Sequence, residues 1–404
     1  MEQRQTDILI SDTELKPVPY GRQSIDQSDI QAVVEVLQSD WLTQGPKGRE
    51  FEEKFAEYCG SKYAVSVTSG TAALHLACLA AGIGKGDEVI TSPITFAASS
   101  NCALYVGATP VFVDIDPDTI CIDHQKLEEY LNKNAGKQTK AVIPVHFAGL
   151  PCNMNAIHRS AKQRDMAIIE DACHAHGARY ASGEKVGSCK YSDMTVFSFH
   201  PLKNITTGEG GMITTNSAEL YEKLLMLRTH GITKNKLQHD QAHEDYYYEM
   251  QMMGFNYRMN DIQSALGISQ LEKLDSFLEK RNEIADYYHN ELKDLEDYLI
   301  LPPDNNGKHA WHIYVLQLKA ADRDKVFKTL KKNGIGVQVH YIPVYFFPYY
   351  RKLGYDKGIC PNAEKYFSRA ITIPLYPAMD ISDMERVVRE VNNALRNSGS
   401  GNGQ

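Results

Sequence analysis

The sequence predicts an α/β fold in which a large domain, built on a seven-stranded and mostly parallel sheet between helices, precedes a smaller α+β domain. From Tyr63 to about residue 215, short apolar runs alternate with helix-length segments, which is the pattern of βαβ units. After about residue 255 strand signals become sparse. The chain has 404 residues, and the usual domain size of about 150 residues predicts two to three domains, or one large body with a smaller lobe.

The predicted strands are short apolar runs bounded by polar or glycine-containing segments. They are YAVSV (63–67), DEVIT (87–91), TPVFVDI (109–115), KAVIPV (140–145), MAIIED (166–171), MTVFSF (194–199) and GGMITT (210–215). Between the first four runs lie GTAALHLACLAAG, FAASSNCALYVG and DHQKLEEYLN, in which apolar residues recur at helical spacing. We expect these three segments to be crossover helices packed on the sheet.

The rest of the large domain surrounds these elements. Residues 1–20 are polar and contain prolines, so we expect a loosely held N-terminal arm before a first helix at about 26–38. The large domain is expected over residues 21–255 and includes a polar, tyrosine-rich insertion at about 232–253.

The smaller domain is expected over residues 256–397. It opens with a long helical stretch from Asp261 towards Leu292. Its further predicted elements are the strands WHIYVLQL (311–318), GVQVHY (336–341) and AITIPL (370–375) and helices near 322–333 and 382–396. Residues 398–404 have the Gly, Ser and Asn content of a flexible tail.

Composition excludes several classes of protein. With 43% hydrophobic and 23% charged residues, the chain can bury a sizeable core and does not resemble a disordered protein. The 43 Lys and Arg residues against 51 Asp and Glu residues give a net charge of −8 without a basic stripe, so no nucleic-acid partner is expected.

Targeting and metal signals are also weak. The longest apolar stretch, 72–83, contains His75 and is shorter than the roughly 18–20 residues needed to cross a bilayer, so no membrane association is expected. The N-terminus does not resemble a secretory signal, and we expect a cytoplasmic protein. The 8 cysteines form no C-x-x-C pair, which argues against a thiolate metal site, and no metal is expected.

The first motif with chemical meaning is TSGTAALHL, which follows a predicted strand and opens a predicted helix. Ser69, Gly70 and Thr71 place backbone amides and hydroxyls at the positive end of that helix, where a phosphate can bind. Simple helix capping by Ser or Thr is the alternative interpretation.

The second motif, IIEDACHAHG, places Asp171 at the carboxyl end of a very apolar strand. Ligands of open α/β sheets are held at such ends. A carboxylate buried there needs a cationic partner, although an Asp that caps a helix is the alternative.

The third motif, VFSFHPLKNITTGEGG, contains Ser198 and Lys203 on either side of a turn at Pro201. A single lysine is usually a solvated surface charge. Here a second apolar strand, the acidic residue of the neighbouring strand and a Gly-rich turn are all expected close to Lys203. A lysine in such a pocket can lose its proton and react with a carbonyl group.

Taken together, these three motifs meet the requirements of pyridoxal 5'-phosphate. This cofactor needs a lysine for its aldehyde, an acid for its pyridine nitrogen and a helix terminus for its phosphate. Asp171 is the candidate acid, because an anionic group keeps the pyridine nitrogen protonated. No G-x-G-x-x-G follows a strand, so a nicotinamide dehydrogenase is disfavoured.

With SGTAAL, EDACHAHG, SFHPLK, GEGG and GFNYRMNDIQSALG in this order, the chain resembles the DegT-type sugar aminotransferases, which have the type I aminotransferase fold. The resemblance covers about residues 18–397. It implies that Lys203 binds the cofactor covalently, that Asp171 pairs with the pyridine nitrogen, and that Ser198, Gly70 and Thr71 bind the phosphate.

The resemblance implies three further cofactor contacts. Phe96 occupies the position of an aromatic ring over the cofactor, with a core phenylalanine at a helix start as the alternative. His174 stands where many members have a glutamine near the phenolic oxygen. Asn256 matches a residue that reaches into a neighbouring subunit's site, which implies a homodimer with shared sites; the alternative is an Asn that caps the helix beginning near Asn260.

The resemblance also points to a reaction and a substrate. Sugar dehydratases of the family replace the lysine with histidine, so the retained Lys203 favours transamination. The string VQVHYIPVY resembles the branch that aminates a UDP-linked 4-keto-6-deoxy amino sugar in pseudaminic acid synthesis, with His340 and Tyr341 near the sugar. WLTQGP places Thr43 and Gln44 near the same pocket, and the family implies glutamate as amino donor.

Two alternatives remain open. The first is an aminotransferase for another 4-keto nucleotide sugar, of the perosamine or bacillosamine type. The second is a non-catalytic cofactor-binding regulator, against which the intact Lys203 and Asp171 argue. The sequence assigns no role to His146, His176 and His200.

Overall fold

The computed structural model describes residues 16–134, 138–234, 245–303 and 308–399. Parts of three predicted segments therefore lie outside the described residues: 1–15 of the arm, 235–244 of the insertion and 400–404 of the tail. The boundaries predicted for the two domains stay a prediction.

The predicted seven-stranded sheet is confirmed. Its strands are β1 (Tyr63–Val67), β2 (Glu88–Thr91), β3 (Thr109–Phe112), β4 (Thr139–Ile143), β5 (Ala167–Asp171), β6 (Met194–Ser198) and β7 (Gly211–Thr215). Their order is β1-β7-β6-β5-β4-β2-β3, and only β7 runs antiparallel to its neighbours. The central strands are almost continuously apolar because helices cover both faces of the sheet.

Seven helices accompany this sheet. They are α1 (Gln27–Leu37), α2 (Pro46–Cys59), α3 (Gly70–Ala80), α4 (Ala98–Tyr105), α5 (His124–Lys133), α6 (Met154–Lys162) and α7 (Ala218–Leu227). The three predicted crossover helices correspond to α3, α4 and α5. Helix α3 packs against β5, β6 and β7, so its first turn lies beside the carboxyl ends of β5 and β6.

The second part of the chain forms a smaller lobe. A two-stranded ribbon, β8 (Ile232–Thr233) and β9 (Glu249–Met250), precedes it. Its antiparallel sheet consists of β10 (Leu299–Ile300), β11 (Tyr314–Leu318) and β12 (Ala370–Ile373). Its helices are α8 (Asp261–Glu272), α9 (Leu274–Leu292), α10 (Arg323–Lys332), α11 (Pro348–Lys352), α12 (Pro361–Arg369) and α13 (Ile381–Gly399).

The strand predicted at 336–341 is wrong. Despite alternating apolar residues, this segment makes only single-residue bridges, Ile335 to Val18 and Gln338 to Thr372. It then turns so that His340 and Tyr341 line a cavity. The third strand of the small sheet is β10, which the sequence did not predict.

The long helix predicted from Asp261 is two helices that meet at Lys273. The Lys273 Nζ atom lies 2.7 Å from a carboxylate oxygen of Asp26 and 2.6 Å from one of Asp29. This lysine therefore links the break between α8 and α9 to the start of α1.

The prediction of a loosely held arm is wrong for residues 16–20. Val18 is 2% exposed, its amide donates to the Gly334 carbonyl (2.9 Å) and its carbonyl accepts from the Gly336 amide (2.7 Å). Among the residues that the structure describes, no helix is both long and apolar enough to span a membrane.

Candidate active site

The candidate site is a cavity of about 400 Å³ at the carboxyl ends of β5 and β6. Asp171 ends β5, Ser198 ends β6 and Gly70 begins α3, and all three line the cavity. The small lobe contributes His340 and Tyr341. Parallel strands and a helix N-terminus therefore converge where open α/β sheets bind ligands.

Lys203 lies in the turn after β6, where its amide donates to the His200 carbonyl (2.8 Å). Its side chain is partly buried and lines the cavity. Its Nζ atom makes no hydrogen bond or ion pair with the part of the chain that the structure describes. Burial lowers the pKa of Lys203, while the nearby Cys173 and Asp171 act in the opposite direction. A lowered pKa increases the fraction of neutral, nucleophilic amine.

Asp171 is 5% exposed and both of its carboxylate oxygens are held. The Ser99 hydroxyl of α4 donates to Oδ2 (2.6 Å), and the Cys173 amide donates to Oδ1 (3.1 Å). The His146 amide donates to the Asp171 carbonyl (3.1 Å), which fixes the strand end. The carboxylate therefore has a set orientation beside the cavity.

The first turn of α3 adjoins Ser198. The Ser69 hydroxyl accepts from the Ala72 amide (3.1 Å), while the other amides of the first turn have no intrahelical acceptor. A Cβ atom on Gly70 would lie 2.8 Å from Cβ of Ser198, so this close approach requires glycine. Thr71 also lines the cavity. The hydroxyls of Thr71 and Ser198 and the free amides of α3 therefore form a site that can bind an anion.

His174 faces the cavity from the loop after β5. Its Nε2 atom is hydrogen-bonded to the Tyr341 hydroxyl (3.1 Å), and its ring centroid lies 4.3 Å from that of His312. Its Nδ1 atom is buried without a partner among the described residues. Burial, with a contribution from Lys203, lowers the pKa of His174 well below its ordinary value, so the ring is neutral.

His340 and Tyr341 form the small-lobe side of the cavity. His340 Nδ1 is hydrogen-bonded to the Thr372 hydroxyl (2.7 Å). Burial and then the charge of Lys203 lower the pKa of His340 to about 4. Burial raises the pKa of Tyr341, so its hydroxyl stays protonated.

Phe96 also lines the cavity and is 64% exposed. It precedes α4, which begins at Ala98. The alternative of a core phenylalanine is therefore wrong, because a core side chain would be buried.

Thr43, Gln44 and Asn256 do not line this cavity and are exposed. The loop of Thr43 and Gln44 is held at the start of α8, where the Asp261 carboxylate accepts from the amides of Gly45 (2.9 Å) and Lys47 (3.0 Å).

Asn256 lies in the segment that leads into α8 and forms a bridge with Thr229. The capping alternative for Asn256 is wrong, because Asn260 itself caps α8 and accepts from the Gln263 amide (2.9 Å). The structure therefore brings Asn256, Thr43 and Gln44 close to the start of α8 and outside their own chain's cavity.

The three histidines without an assigned role differ in position. His146 is buried and its Nε2 atom lies 2.7 Å from a carboxylate oxygen of Glu170. The His176 ring lies against the rings of Phe197 (5.2 Å) and Phe199 (5.7 Å). Only His200 lines the cavity, and it is exposed.

Sequence reasoning missed several residues at the site, among them Tyr20, Cys173 and His312 of the lining and Ser99, which holds Asp171. Cys173 and Ser99 were detectable in part, since Cys173 lies in the Asp171 motif and Ser99 follows Phe96 by three positions. Tyr20 and His312 come from segments whose approach to the sheet depends on tertiary packing, and no local pattern marks them.

The cavity fits pyridoxal 5'-phosphate. It presents the Lys203 amine, which has no partner in the described parts of the chain, a fixed carboxylate at Asp171 and an anion-binding turn at Gly70. The Nδ1 atom of His174, which no described residue contacts by a hydrogen bond, is a polar group available to a ligand. The fold and this cavity are those of an aminotransferase that uses this cofactor.

A family model described as the DegT/DnrJ/EryC1/StrS aminotransferase family matches residues 23–392, and the chain belongs to this family. The resemblance seen in the motifs is thereby confirmed. Enzymes of this family use pyridoxal 5'-phosphate.

Two relatives cover almost the whole chain. The spore coat polysaccharide biosynthesis protein SpsC of Bacillus subtilis is 42% identical over 385 residues, which are 94% of this chain and 97% of that protein. The UDP-4-amino-4,6-dideoxy-N-acetyl-beta-L-altrosamine transaminase of Campylobacter jejuni is 41% identical over 373 residues, 92% of this chain and 95% of that enzyme.

Among solved structures, PseC of Helicobacter pylori, an aminotransferase involved in the biosynthesis of pseudoaminic acid, superposes with a TM-score of 0.86. It is 33% identical, and the match covers 95% of this chain and 100% of that chain. The predicted type I aminotransferase fold is confirmed.

Proposed function

We propose that this sugar aminotransferase transfers an amino group to carbon 4 of a UDP-linked 4-keto-6-deoxy N-acetylhexosamine, in pseudaminic acid synthesis. The observation that carries the proposal is the convergence of Lys203 and Asp171 with His340 and Tyr341 on one cavity. The Campylobacter jejuni and Helicobacter pylori relatives support this choice of sugar. We propose glutamate as the amino donor, on the resemblance to the family.

The first proposed roles concern the cofactor ring. Lys203 binds its aldehyde covalently, and Asp171 holds a proton on its pyridine nitrogen. When bound, the cofactor supplies a ring that withdraws electrons from the reacting carbon. His174 contacts the phenolic oxygen, and Phe96, whose ring is exposed in the cavity, packs on the cofactor ring.

The phosphate is proposed to bind at the start of α3. Gly70 and Thr71 offer amides that have no intrahelical acceptor, and Ser198 offers a hydroxyl. This site also has the positive end of the helix dipole, which favours an anion.

Lys203 has a second proposed role, as the group that moves a proton between the amino-bearing carbon and the cofactor. A general base or acid works best when its pKa is near the operating pH. The lowered pKa of Lys203 supports this role, because an ordinary lysine is almost fully protonated near neutral pH.

We further propose that the enzyme is a homodimer with shared sites. Asn256, Thr43 and Gln44 are exposed outside their own chain's cavity, which supports a contact with the cavity of a second copy. Exposed apolar side chains lie in the same segments: Trp41 and Leu42 before α2, and Met253 beside Asn256.

A second candidate is an aminotransferase for a different 4-keto nucleotide sugar. The Bacillus subtilis spore coat polysaccharide protein supports this second candidate, because it is as similar to this chain as the Campylobacter jejuni transaminase is.

The test is incubation of the purified holoenzyme with glutamate and the UDP-linked 4-keto-6-deoxy N-acetylhexosamine, with NMR of the product. We expect a 4-amino sugar nucleotide, and none from UDP-N-acetylglucosamine, which lacks the ketone. Faster amination of a 4-keto sugar that has another stereochemistry or is linked to another nucleotide would favour the second candidate and contradict the proposed substrate.

A further inference from the structure

Residues 16–21, here called the N-terminal strap, run along the small lobe and then pass to the sheet domain. The Val18 amide and carbonyl pair with Gly334 and Gly336, respectively. A Cβ atom on Gly21 would lie 3.6 Å from a Leu202 methyl group, next to Lys203. The strap therefore connects the two parts of the molecule beside the cavity.

The backbone of Tyr20 is held on both sides. Its carbonyl accepts from the Leu375 amide (3.2 Å). A Cβ atom on Gly336 would lie 2.6 Å from the Tyr20 nitrogen, so the strap can approach this closely only because residue 336 is glycine. The position of the Tyr20 backbone is thus set before any ligand binds, which reduces the entropy cost of a contact made from this residue.

The Tyr20 side chain lines the cavity, and its ring centroid lies 5.7 Å from that of His340. Its hydroxyl has no hydrogen-bond partner in the described part of the chain. Burial raises the pKa of Tyr20, so the hydroxyl remains a donor. A partly buried phenol of this kind is available to a bound ligand.

The position of Tyr20 indicates which ligand. Asp171 and the start of α3 lie on the sheet side of the cavity, whereas Tyr20 packs on His340 of the small lobe. His340 in turn is close enough to Lys203 for the lysine charge to affect it. The sugar ring attached to the reacting carbon must extend from Lys203, and the small-lobe side is free of the proposed cofactor contacts.

We infer that Tyr20 is a specificity-determining residue whose hydroxyl donates a hydrogen bond to the sugar of the substrate. The inference rests on the proposed function and adds a residue to the same site. It differs from the proposed roles of His340 and Tyr341, because Tyr20 comes from the strap and its hydroxyl has no hydrogen-bond partner among the described residues.

The test compares Tyr20→Phe with the wild-type holoenzyme and with Tyr298→Phe, a change at an exposed tyrosine away from the cavity. The cofactor is first converted to its amine form, which does not react with an amino sugar. Calorimetric titration then measures the affinities for the 4-amino UDP-sugar and for UDP. The melting temperature and the rate of cofactor conversion by glutamate are measured in parallel.

For Tyr20→Phe we expect affinity for the 4-amino UDP-sugar to fall about threefold to tenfold, the effect of one lost hydrogen bond. Affinity for UDP, the conversion rate and the melting temperature should stay unchanged, as should all values for Tyr298→Phe.

Unchanged affinity for the amino sugar nucleotide would overturn the inference. An equal loss for UDP would also overturn it, since the hydroxyl would then contact the nucleotide. A wild-type enzyme that binds UDP and does not bind the 4-amino UDP-sugar would instead contradict the proposed function. The inferred contact between Tyr20 and the sugar would then be contradicted as well.

Discussion

The hydroxyl of Tyr341 lies 3.1 Å from Nε2 of His174, so a side chain of the small lobe is hydrogen-bonded to a side chain that follows β5. Burial keeps the Tyr341 hydroxyl protonated and the His174 ring neutral. The contact therefore joins two uncharged groups. It links the proposed sugar side of the cavity to the proposed cofactor side.

Replacing Tyr341 with Ala should impair the sugar half-reaction more than the conversion of the cofactor by glutamate. In the wild-type enzyme the Tyr341 ring would orient the ketone of the sugar, and this orientation affects the rate of the chemical step. We expect a loss of about tenfold or more in the sugar half-reaction and of about threefold or less in the other. Two single-turnover measurements decide this, with Tyr341→Phe as the control that removes only the hydroxyl. Equal losses would show that the loop supports the cofactor or the fold.

Asp171→Asn should bind the cofactor and lose most activity, by roughly 100-fold or more, because a neutral amide cannot stabilise a proton on the pyridine nitrogen. Ser99→Ala is the matched control, since it removes one hydrogen bond to the carboxylate and leaves the charge. We expect a loss of about tenfold or less for Ser99→Ala. Steady-state rates with cofactor absorbance measure both effects. Near-normal turnover by Asp171→Asn would mean that the acid lies elsewhere.

If Asn256 acts in a neighbouring site, mixing Lys203→Ala with Asn256→Ala subunits should restore activity. Equal random exchange makes half of the dimers heterodimers, each with one site that has both residues intact, so about a quarter of wild-type activity is expected. Asn260→Ala is the control for an effect on helix capping. Loss of the Asn260 cap of α8 should lower the free energy of unfolding by about 1 kcal/mol. Full activity of Asn256→Ala alone would refute the shared site.

Stability should fall as the pH falls below about 6.5. Burial lowers the pKa of His176 and His309 to about 3 and that of His340 to about 4. Between those values and the ordinary pKa of about 6.5, the unfolded chain binds protons that the folded chain does not. Protonation therefore favours unfolding in this window, by about 1–2 kcal/mol per histidine at pH 5.

Denaturant unfolding at pH 7.5 and pH 5 measures this difference. His176→Leu should reduce it, since one of these groups is removed from an aromatic environment. If the free energy of unfolding did not change between the two pH values, the conclusion that these buried histidine rings are neutral in the folded protein would be refuted.

The sheet was predictable because its central strands are buried on both faces and its strands are short apolar runs with clear ends. The same ends identified Asp171, since the carboxyl edge of parallel strands is a known place for ligands, whereas the role of Ser198 came from the resemblance to the family. Lys203 followed from its position just after such an edge.

Other features depend on packing between distant segments. The alternation of apolar residues at 336–341 predicts a strand. In the structure, however, the strap forms a bridge with Ile335, and β12 forms a bridge with this segment only at Gln338. Tyr20 has no local signal, because its place follows from the pairing of Val18 with residues near Gly334. One chain alone does not place Asn256, Thr43 and Gln44 in a cavity, since their proposed partner is a second copy.

The central claim is that Lys203 binds the cofactor, and borohydride reduction of the holoenzyme followed by peptide mapping tests it most directly. We expect the cofactor to be fixed on the peptide that contains Lys203, and no fixed cofactor in Lys203→Ala. Cofactor fixed on a different lysine would contradict the account.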